Sequence, residues 1–176
     1  MRFRNFSQVF GAGFKTTIGR SRQDAPRFIW EEIGMITERQ AKVIRGAGTP
    51  AQAEQGSIYS PGVSAETAGA AGLWLGIISL PPGRRTSAHL HAAHESALFM
   101  MSGGDVELFT GARLEHRDVI RPGDYLFIPA GLPHVAVNRS DTPAVFMGAR
   151  TDPNANESVV MLPELDARLV ETERLT

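Results

Sequence analysis

Three histidines and one glutamate in this chain of 176 residues have the residue types and the spacing of metal ligands. His89, His91 and Glu95 are separated by even numbers of residues, so on an extended strand their side chains would lie on one face. His134 follows a turn rich in proline and glycine, at the start of an apolar segment, and would supply a fourth ligand. Imidazole and carboxylate together suit one divalent transition metal, and Fe, Mn, Zn, Ni, Co and Cu are all compatible with them.

A site of this composition could be catalytic. Three imidazoles and one carboxylate contribute a single negative charge and can leave coordination positions open for water, substrate or dioxygen, and an open position is typical of a catalytic metal. Glu95 would then be both a ligand and a proton acceptor, which makes it the candidate catalytic residue. A single buried histidine is more often hydrogen-bonded than metal-bound, so it is the combined spacing that favours a metal.

From Leu73 onward the sequence has the pattern of an all-β domain. Short apolar segments are separated by turn residues about every eight to twelve positions, which is the spacing of a sandwich or barrel. Ser87–His91 is the predicted strand that carries two of the histidines. The other predicted strands are Ser57–Tyr59, Leu73–Leu80, Glu95–Ser102, Asp105–Thr110, Arg113–Arg117, Asp118–Arg121, Tyr125–Ile128, His134–Asn138 and Ala144–Ala149.

The alternation of a strand also predicts which residues line a pocket beside the metal. Ala97, Phe99 and Met101 follow Glu95 at even steps and are expected to face inward, with Phe99 and Met101 as substrate-binding residues. The pocket would then be largely apolar. The arginines Arg84, Arg85 and Arg150 are candidates for binding a substrate carboxylate or phosphate, and Arg150 is the one assigned to the site.

Three further polar residues receive a structural interpretation. His94 lies at an odd offset from His91, so it is expected at the surface or the rim of the pocket. His116 lies in a polar hairpin and is expected to be solvated. Asn138 lies at an even offset from His134 and is expected to point inward and hydrogen-bond the backbone rather than a substrate.

These residues resemble the two sequence motifs of the cupins. Gly83, His89, His91 and Glu95 fit the first motif, G(X)5HXH(X)3–4E(X)6G, except that Ser102 stands where the closing glycine belongs and Gly103 follows it. The second motif, G(X)5PXG(X)2H(X)3N, is matched at every specified position by Gly123, Pro129, Gly131, His134 and Asn138. The resemblance extends over roughly residues 42–171, and the C-terminal part is similar to that of small single-domain bacterial cupins whose activity is not established.

The resemblance implies a jelly-roll β-barrel or sandwich. It also implies an oxygenase, a decarboxylase or an isomerase acting on a small organic substrate, and the apolar pocket slightly favours a dioxygenase. Two alternatives stay open: a cupin that binds or senses a small ligand without catalysis, and a metal-free isomerase or epimerase. Cupins of this kind commonly form homodimers, and the apolar segment Ser158–Leu162 would need covering by a partner or by the chain itself.

Composition excludes several other classes of protein. The formal net charge of −1 gives no reason to expect a nucleic-acid partner, and there is no apolar segment long enough to span a membrane. The absence of cysteine excludes disulfides and thiolate metal sites. We expect a cytoplasmic protein whose partner is a small-molecule substrate.

The two ends of the chain are expected to differ from the centre. Residues 1–40 are predicted to be a loosely ordered extension, with Met35 as an alternative first residue, and residues 41–176 are predicted to form the cupin domain. Near the C-terminus, Pro163 suits the first position of a short helix, Glu164–Val170, because its fixed φ and missing N–H fit that place.

Overall fold

The computed structural model describes residues 40–154 and 158–167. The predicted N-terminal extension lies outside the described residues except for residue 40, as does Met35, and this domain assignment stays a prediction. Within the described residues no helix is long and apolar enough to cross a membrane.

The described residues form an almost entirely β structure, as the sequence predicts. The strands are β1 (Ala51–Gln52), β2 (Ile58–Val63), β3 (Trp74–Leu80), β4 (His89–His91), β5 (Ser96–Ser102), β6 (Val106–Thr110), β7 (His116–Ile120), β8 (Tyr125–Ile128), β9 (His134–Asn138), β10 (Ala144–Arg150) and β11 (Val159–Met161). One short helix, α1 (Ala65–Ala68), follows β2, and residues 163–167 are helical.

The strands form two antiparallel sheets. Among the described residues, one sheet has six strands in the order β1-β2-β3-β10-β5-β8, and the other has five strands in the order β11-β4-β9-β6-β7. Strands that are neighbours in a sheet are often distant in sequence, as β3 and β10 are. This arrangement confirms the predicted jelly roll.

Alternation along the central strands places the core on the inner face of each sheet. In β3 the buried positions are every second residue from Trp74 to Leu80, and in β10 they run in the same way from Ala144 to Arg150. Because side chains on a strand alternate between faces, these residues share the inner side of the six-stranded sheet. They pack with inner residues of the other sheet, such as Val106 and Leu108, in one hydrophobic cluster.

The predicted inward face of β5 is wrong by one residue. The strand begins at Ser96, and its buried positions are Ser96 and Met100, with Leu98 packed against the core. Met101 is 46% exposed, and the ring of Phe99 packs on the ring of Tyr125, which is itself 85% exposed. Phe99 and Met101 therefore lie on the outer face of the sheet and do not line a pocket.

The region after β6 and the C-terminal segment also differ in part from the prediction. The two short strands predicted at Arg113–Arg117 and Asp118–Arg121 are the single strand β7. Pro163 is the first helical residue, as predicted, although the helix can be followed only to residue 167. The apolar segment Ser158–Leu162 contains β11, which pairs with β4 of the same chain, but its residues are only partly buried and Val160 is 43% exposed.

Candidate metal centre

Two strands of the five-stranded sheet bring the three histidines together. β4 and β9 pair with His89 directly across from His134. The centroid of the His134 ring lies 4.2 Å from that of His89 and 4.9 Å from that of His91. The sequence prediction that His89, His91 and His134 converge thus agrees with the geometry.

The three rings offer ligand atoms at a separation that suits one ion. One nitrogen from each ring lies within 4.8 Å of the other two, and all three residues are buried. Burial matters because a polar group without a partner is costly to remove from water. His91 Nε2 is buried without a hydrogen-bond partner, which is the condition expected of a nitrogen that a metal would engage.

The hydrogen bonds at Nδ1 fix which nitrogen faces the centre. His89 Nδ1 donates to the carbonyl of Ser87 at 2.8 Å, and His134 Nδ1 donates to the carbonyl of Leu132 at 2.9 Å. A carbonyl only accepts, so in both neutral rings the proton is on Nδ1 and the lone pair is on Nε2. Hydrogen bonds of this kind typically orient metal-bound histidines. His91 Nδ1 lies 3.2 Å from Ser96 Oγ, a hydroxyl that can donate or accept, so this contact engages Nδ1 without fixing the proton.

The electrostatics of the site also favour neutral rings. Burial is the main cause that lowers the pKa of His89 to about 3, and the nearby His134 lowers it further. Burial likewise lowers the pKa of His91 to about 2, with contributions from His134 and His94. The pKa of His134 is lowered by burial as well, and Arg150 adds to the effect on all three. Deprotonated imidazole is the form that binds a metal.

The turn before β9 holds His134 in place. Gly131 has φ of +77°, a conformation that residues with a side chain rarely adopt, and its N–H donates to the carbonyl of His91 at 2.7 Å. The next residue, Leu132, provides the carbonyl that binds His134 Nδ1. This turn therefore links the strands that carry His91 and His134.

Glu95 does not share the face of the histidines. β4 ends at His91 and β5 begins at Ser96, so the continuous strand on which the even spacing was based is broken. Glu95 is exposed, and its backbone N–H and carbonyl bind Thr151. Ser96 takes the inward position next to His91. The predicted common face is therefore wrong, and Glu95 is not part of the three-histidine group.

His94 is buried, contrary to its predicted place at the surface or rim. It is 1% exposed, and its ring stacks on His91 with 4.4 Å between centroids. Its Nδ1 lies 2.8 Å from Ser158 Oγ, on the segment before β11. The break between β4 and β5 changes the direction of residue 94, which explains why strand alternation fails there.

Other polar residues lie as predicted. His116 is exposed. Asn138 is fully buried, and its side-chain nitrogen donates to three carbonyl oxygens, those of Leu80, Pro81 and Thr142. Its amide oxygen accepts from Ser140. Asn138 is therefore a structural residue that ties the end of β9 to the ends of its neighbours.

A cavity of about 70 Å³ lies between the two sheets and includes the three histidines. Most of its wall is apolar, and it is lined in part by Leu98, Ile128 and Phe146. Arg150, at the end of β10, lines it as well, which agrees with its predicted place. Phe99 and Met101 are not part of the wall, and Arg84 and Arg85 lie elsewhere, with Arg85 bound to Asp166 at 2.6 Å.

Arg150 is held by two aromatic rings. It is 4% exposed, and its guanidinium lies 4.4 Å from the centroid of Tyr59 and 5.1 Å from that of Trp74. Contacts of this kind stabilise a buried cation. The six-stranded sheet thus contributes a positive charge to the cavity, and the five-stranded sheet contributes the histidines.

The sequence analysis did not assign several polar residues of this cavity to the site. Gln55 and Tyr59 line it from the β1–β2 connection and β2, and Ser96 lines it beside His91. Gln55 lies in a stretch rich in Gly, Ala and Gln, which indicates a loop and carries no signal of a site. Ser96 could have been found from the alternative spacing allowed by the first motif, which places the inward residue one position later.

Comparison with known proteins decides the family. Residues 76–149 match the family model described as a cupin domain. Residues 76–149 form a cupin domain. The matched residues run from within β3 to within β10, and they include all three histidines.

The individual proteins that resemble this chain have low sequence identity to it. Auxin-binding protein ABP19b of Prunus persica is 27% identical over 134 residues, which cover 76% of this chain and 59% of that protein. The chain thus spans well under two thirds of the length of this relative. A recombinant oxalate oxidase in complex with glycolate has a similar structure, with a TM-score of 0.56 at 19% identity, covering 73% of this chain and 68% of the other.

A second solved structure has the same fold, with a similar TM-score and a similarly low sequence identity. The oxalate decarboxylase of Lactobacillus farciminis, in a formate complex, has a TM-score of 0.53 at 22% identity and covers 70% of this chain and 37% of the other. At these identities the likeness shows the fold alone. The catalytic activity of this cupin must be argued from its own residues.

Proposed function

We propose that this cupin is a metal-dependent enzyme acting on a small organic anion, with a divalent transition metal held by His89, His91 and His134. The observation that carries the proposal is the set of three buried, neutral rings whose Nδ1 atoms are engaged by hydrogen bonds. This leaves Nε2 as the available nitrogen of His89 and His134, and His91 Nε2 is buried without a hydrogen-bond partner. Such a site keeps positions open for a substrate.

The charges around the cavity support an anionic substrate. Three neutral imidazoles leave the full double charge of a divalent ion uncompensated, and Arg150 adds a further positive charge within the same cavity. No aspartate or glutamate among the described residues lines the cavity. A carboxylate in the substrate would supply the missing negative charge, since attraction between opposite charges is strong in a site with little water.

The lack of a carboxylate in the wall also bears on the type of reaction. Isomerases and epimerases that abstract a proton need a general base near the substrate, and the described wall offers no acidic side chain for that role. A bound redox-active metal would supply chemistry with dioxygen. The apolar wall would exclude water, and the histidines and Arg150 would orient the anion. Oxidation by dioxygen is therefore favoured over isomerisation or epimerisation.

A non-catalytic binding protein is the second candidate. The absence of an acidic side chain from the described wall is also compatible with a cupin that binds or senses a small anion through its metal. Turnover distinguishes the two, because a dioxygenase consumes oxygen in proportion to substrate and a binding protein does not. Cytoplasmic location stays a prediction.

Metal content tests the proposal directly. We expect the purified protein to hold close to one equivalent of metal and His134→Ala to lose it, because a ligand has been removed from a set of three. His116→Ala is the matched control, since His116 is exposed and should leave metal content unchanged. Plasma mass spectrometry after dialysis is the measurement.

The same experiment tests the predicted fourth ligand. Glu95→Gln should keep its metal if the centre has three ligands, as the exposed position of Glu95 indicates. Loss of metal in Glu95→Gln would restore the four-ligand site. Failure of the unaltered protein to bind any of Mn, Fe, Co, Ni, Cu or Zn would remove the metalloenzyme proposal.

A further inference from the structure

The cavity contains a buried polar atom that the metal centre does not use. Gln55 is 1% exposed, and its side-chain oxygen Oε1 has no hydrogen-bond partner although Gln55 lines the cavity. Its side-chain nitrogen donates to the hydroxyl of Tyr59. A buried carbonyl oxygen without a donor is costly, so the native state gains if a ligand supplies one.

Gln55 is held firmly beside the metal ligands. The turn that carries it is closed by hydrogen bonds from Gly56 N–H to Ala53 and from Ala53 N–H to Ser57. Its backbone carbonyl accepts from the N–H of Ser87 at 2.8 Å, and the carbonyl of Ser87 accepts from His89 Nδ1. The chain therefore positions Gln55 and His89 through one shared residue.

Tyr59 completes a polar pair. Its hydroxyl oxygen accepts from Gln55, which leaves its own proton to donate, and Tyr59 also lines the cavity. The guanidinium of Arg150 lies over the face of the same ring. Gln55 thus offers an acceptor, and Tyr59 offers a donor. A hydroxyl group both donates and accepts, so it matches this pair better than a carbonyl or a methyl group.

We propose that Gln55 and Tyr59 recognise a hydroxyl group of the substrate, and that the substrate class is small 2-hydroxy acids. The inference rests on the proposed function for the anionic end, which the metal and Arg150 would attract. In the proposed substrate the hydroxyl is on the carbon next to the carboxylate, because a cavity of about 70 Å³ has room for only a few atoms between these two groups. Gln55 is then a specificity-determining residue.

Three acids of three carbons each test this assignment. Lactate has a hydroxyl at carbon 2, pyruvate has a carbonyl that accepts but cannot donate, and propionate has neither group. We would titrate each into protein loaded with Zn²⁺, which has no redox chemistry, so that binding is measured by calorimetry without turnover. Lactate should bind about tenfold more tightly than propionate, and more tightly than pyruvate.

Variants assign the preference to Gln55. In Gln55→Leu the three acids should bind with similar affinity, because the unpaired oxygen has gone. Tyr59→Phe, which keeps the ring under Arg150, should lose part of the preference. Gln52→Leu is the matched control, since Gln52 is exposed on β1, and it should keep the full preference for lactate.

The outcomes separate this inference from the proposed function. Zinc content, measured before each titration, reports on the metal centre alone, and the titrations are repeated on metal-free protein so that the ranking is obtained in either case. Equal affinities for the three acids, tightest binding of pyruvate, no binding of any acid, or an unchanged preference in Gln55→Leu would overturn the inference. A metal-bound protein with equal affinities would leave the proposed function intact.

Discussion

The three clustered histidines are buried as neutral rings, and this sets how the metal-free protein responds to acid. In the unfolded chain a histidine titrates near 6.5, whereas burial lowers the pKa of His89 to about 3 and that of His91 to about 2. Between those values the unfolded chain binds more protons than the folded chain. The contribution of these neutral rings to the free energy of unfolding is therefore fully present above pH 6.5. It is lost progressively as the pH falls below that value.

We predict that the free energy of unfolding of metal-free protein decreases between about pH 7 and about pH 5. The slope approaches about 1.4 kcal/mol per pH unit for each histidine that is neutral when folded and protonated when unfolded. Urea titrations at several pH values measure it. His116→Ala should keep the slope, because His116 is exposed, whereas His89→Phe should reduce it. A flat profile would contradict the buried neutral rings.

At the scale of single residues, the sequence pattern predicts the histidine cluster but not its surroundings. The spacing of His89 and His91, and the second motif around His134, were sufficient to identify the cluster. Glu95, Phe99 and Met101 were placed by counting along an unbroken strand. The chain leaves the strand after His91, and contacts with Ser158 and Thr151, distant in sequence, hold the break. Contacts between residues so distant in sequence cannot be predicted from the pattern of neighbouring residues.

At the scale of elements, the turn between β8 and β9 is what orients the histidines. Gly131 donates to His91 and has a left-handed backbone, while a side chain added there would meet nothing within 4 Å. The effect of a substitution is therefore one of backbone conformation alone. Any residue with a Cβ should strain the turn by about 1 kcal/mol or more.

We predict that Gly131→Ala lowers both the stability and the metal affinity. Thermal unfolding and competition with a chelator measure the two effects. Gly72→Ala is the control, since Gly72 is exposed, lies outside the left-handed region and also has nothing within 4 Å of an added Cβ. Unchanged metal affinity in Gly131→Ala would mean that the turn does not position the histidines.

The elements themselves were more predictable than the pocket. Strands such as Tyr125–Ile128 and His134–Asn138 were predicted with their observed bounds, because apolar segments between proline and glycine turns leave few alternatives. The β1–β2 connection was predicted only as a loop. Its contribution of Gln55 depends on how that loop folds over the open edge of the cavity, and a sequence rich in small residues does not encode this visibly.

At the scale of the whole molecule, the outer side of the six-stranded sheet is unusually apolar. Ile77, Met147, Phe99 and Tyr125 lie in one row across β3, β10, β5 and β8. The outer apolar face, as we call it, consists of Leu75, Ile77, Phe99, Met101, Tyr125, Phe127 and Met147. No charged residue lies in this row, and apolar faces of this kind commonly mark interfaces.

We predict that the protein is a homodimer that packs through the outer apolar face. Met147→Glu, which places a charge at the centre of the face, should convert the dimer to monomer, as measured by light scattering at several concentrations. Val160→Glu is the control, because Val160 is 43% exposed on β11, in the C-terminal segment that was the alternative interface. If Val160→Glu converts the dimer to monomer, the interface lies at β11 instead. If the unaltered protein is already a monomer, neither the outer apolar face nor β11 is a dimer interface.

The ring that supports Arg150 also makes the cavity observable by light. Trp74 is fully buried, lies 5.1 Å from the guanidinium of Arg150 and is one of two tryptophans in the chain. Indole emission responds to a nearby charge, and many transition ions quench it. With Trp30 replaced by phenylalanine, the fluorescence of Trp74 would report the binding of an anion at Arg150. The protein thus contains its own optical probe for ligand screening.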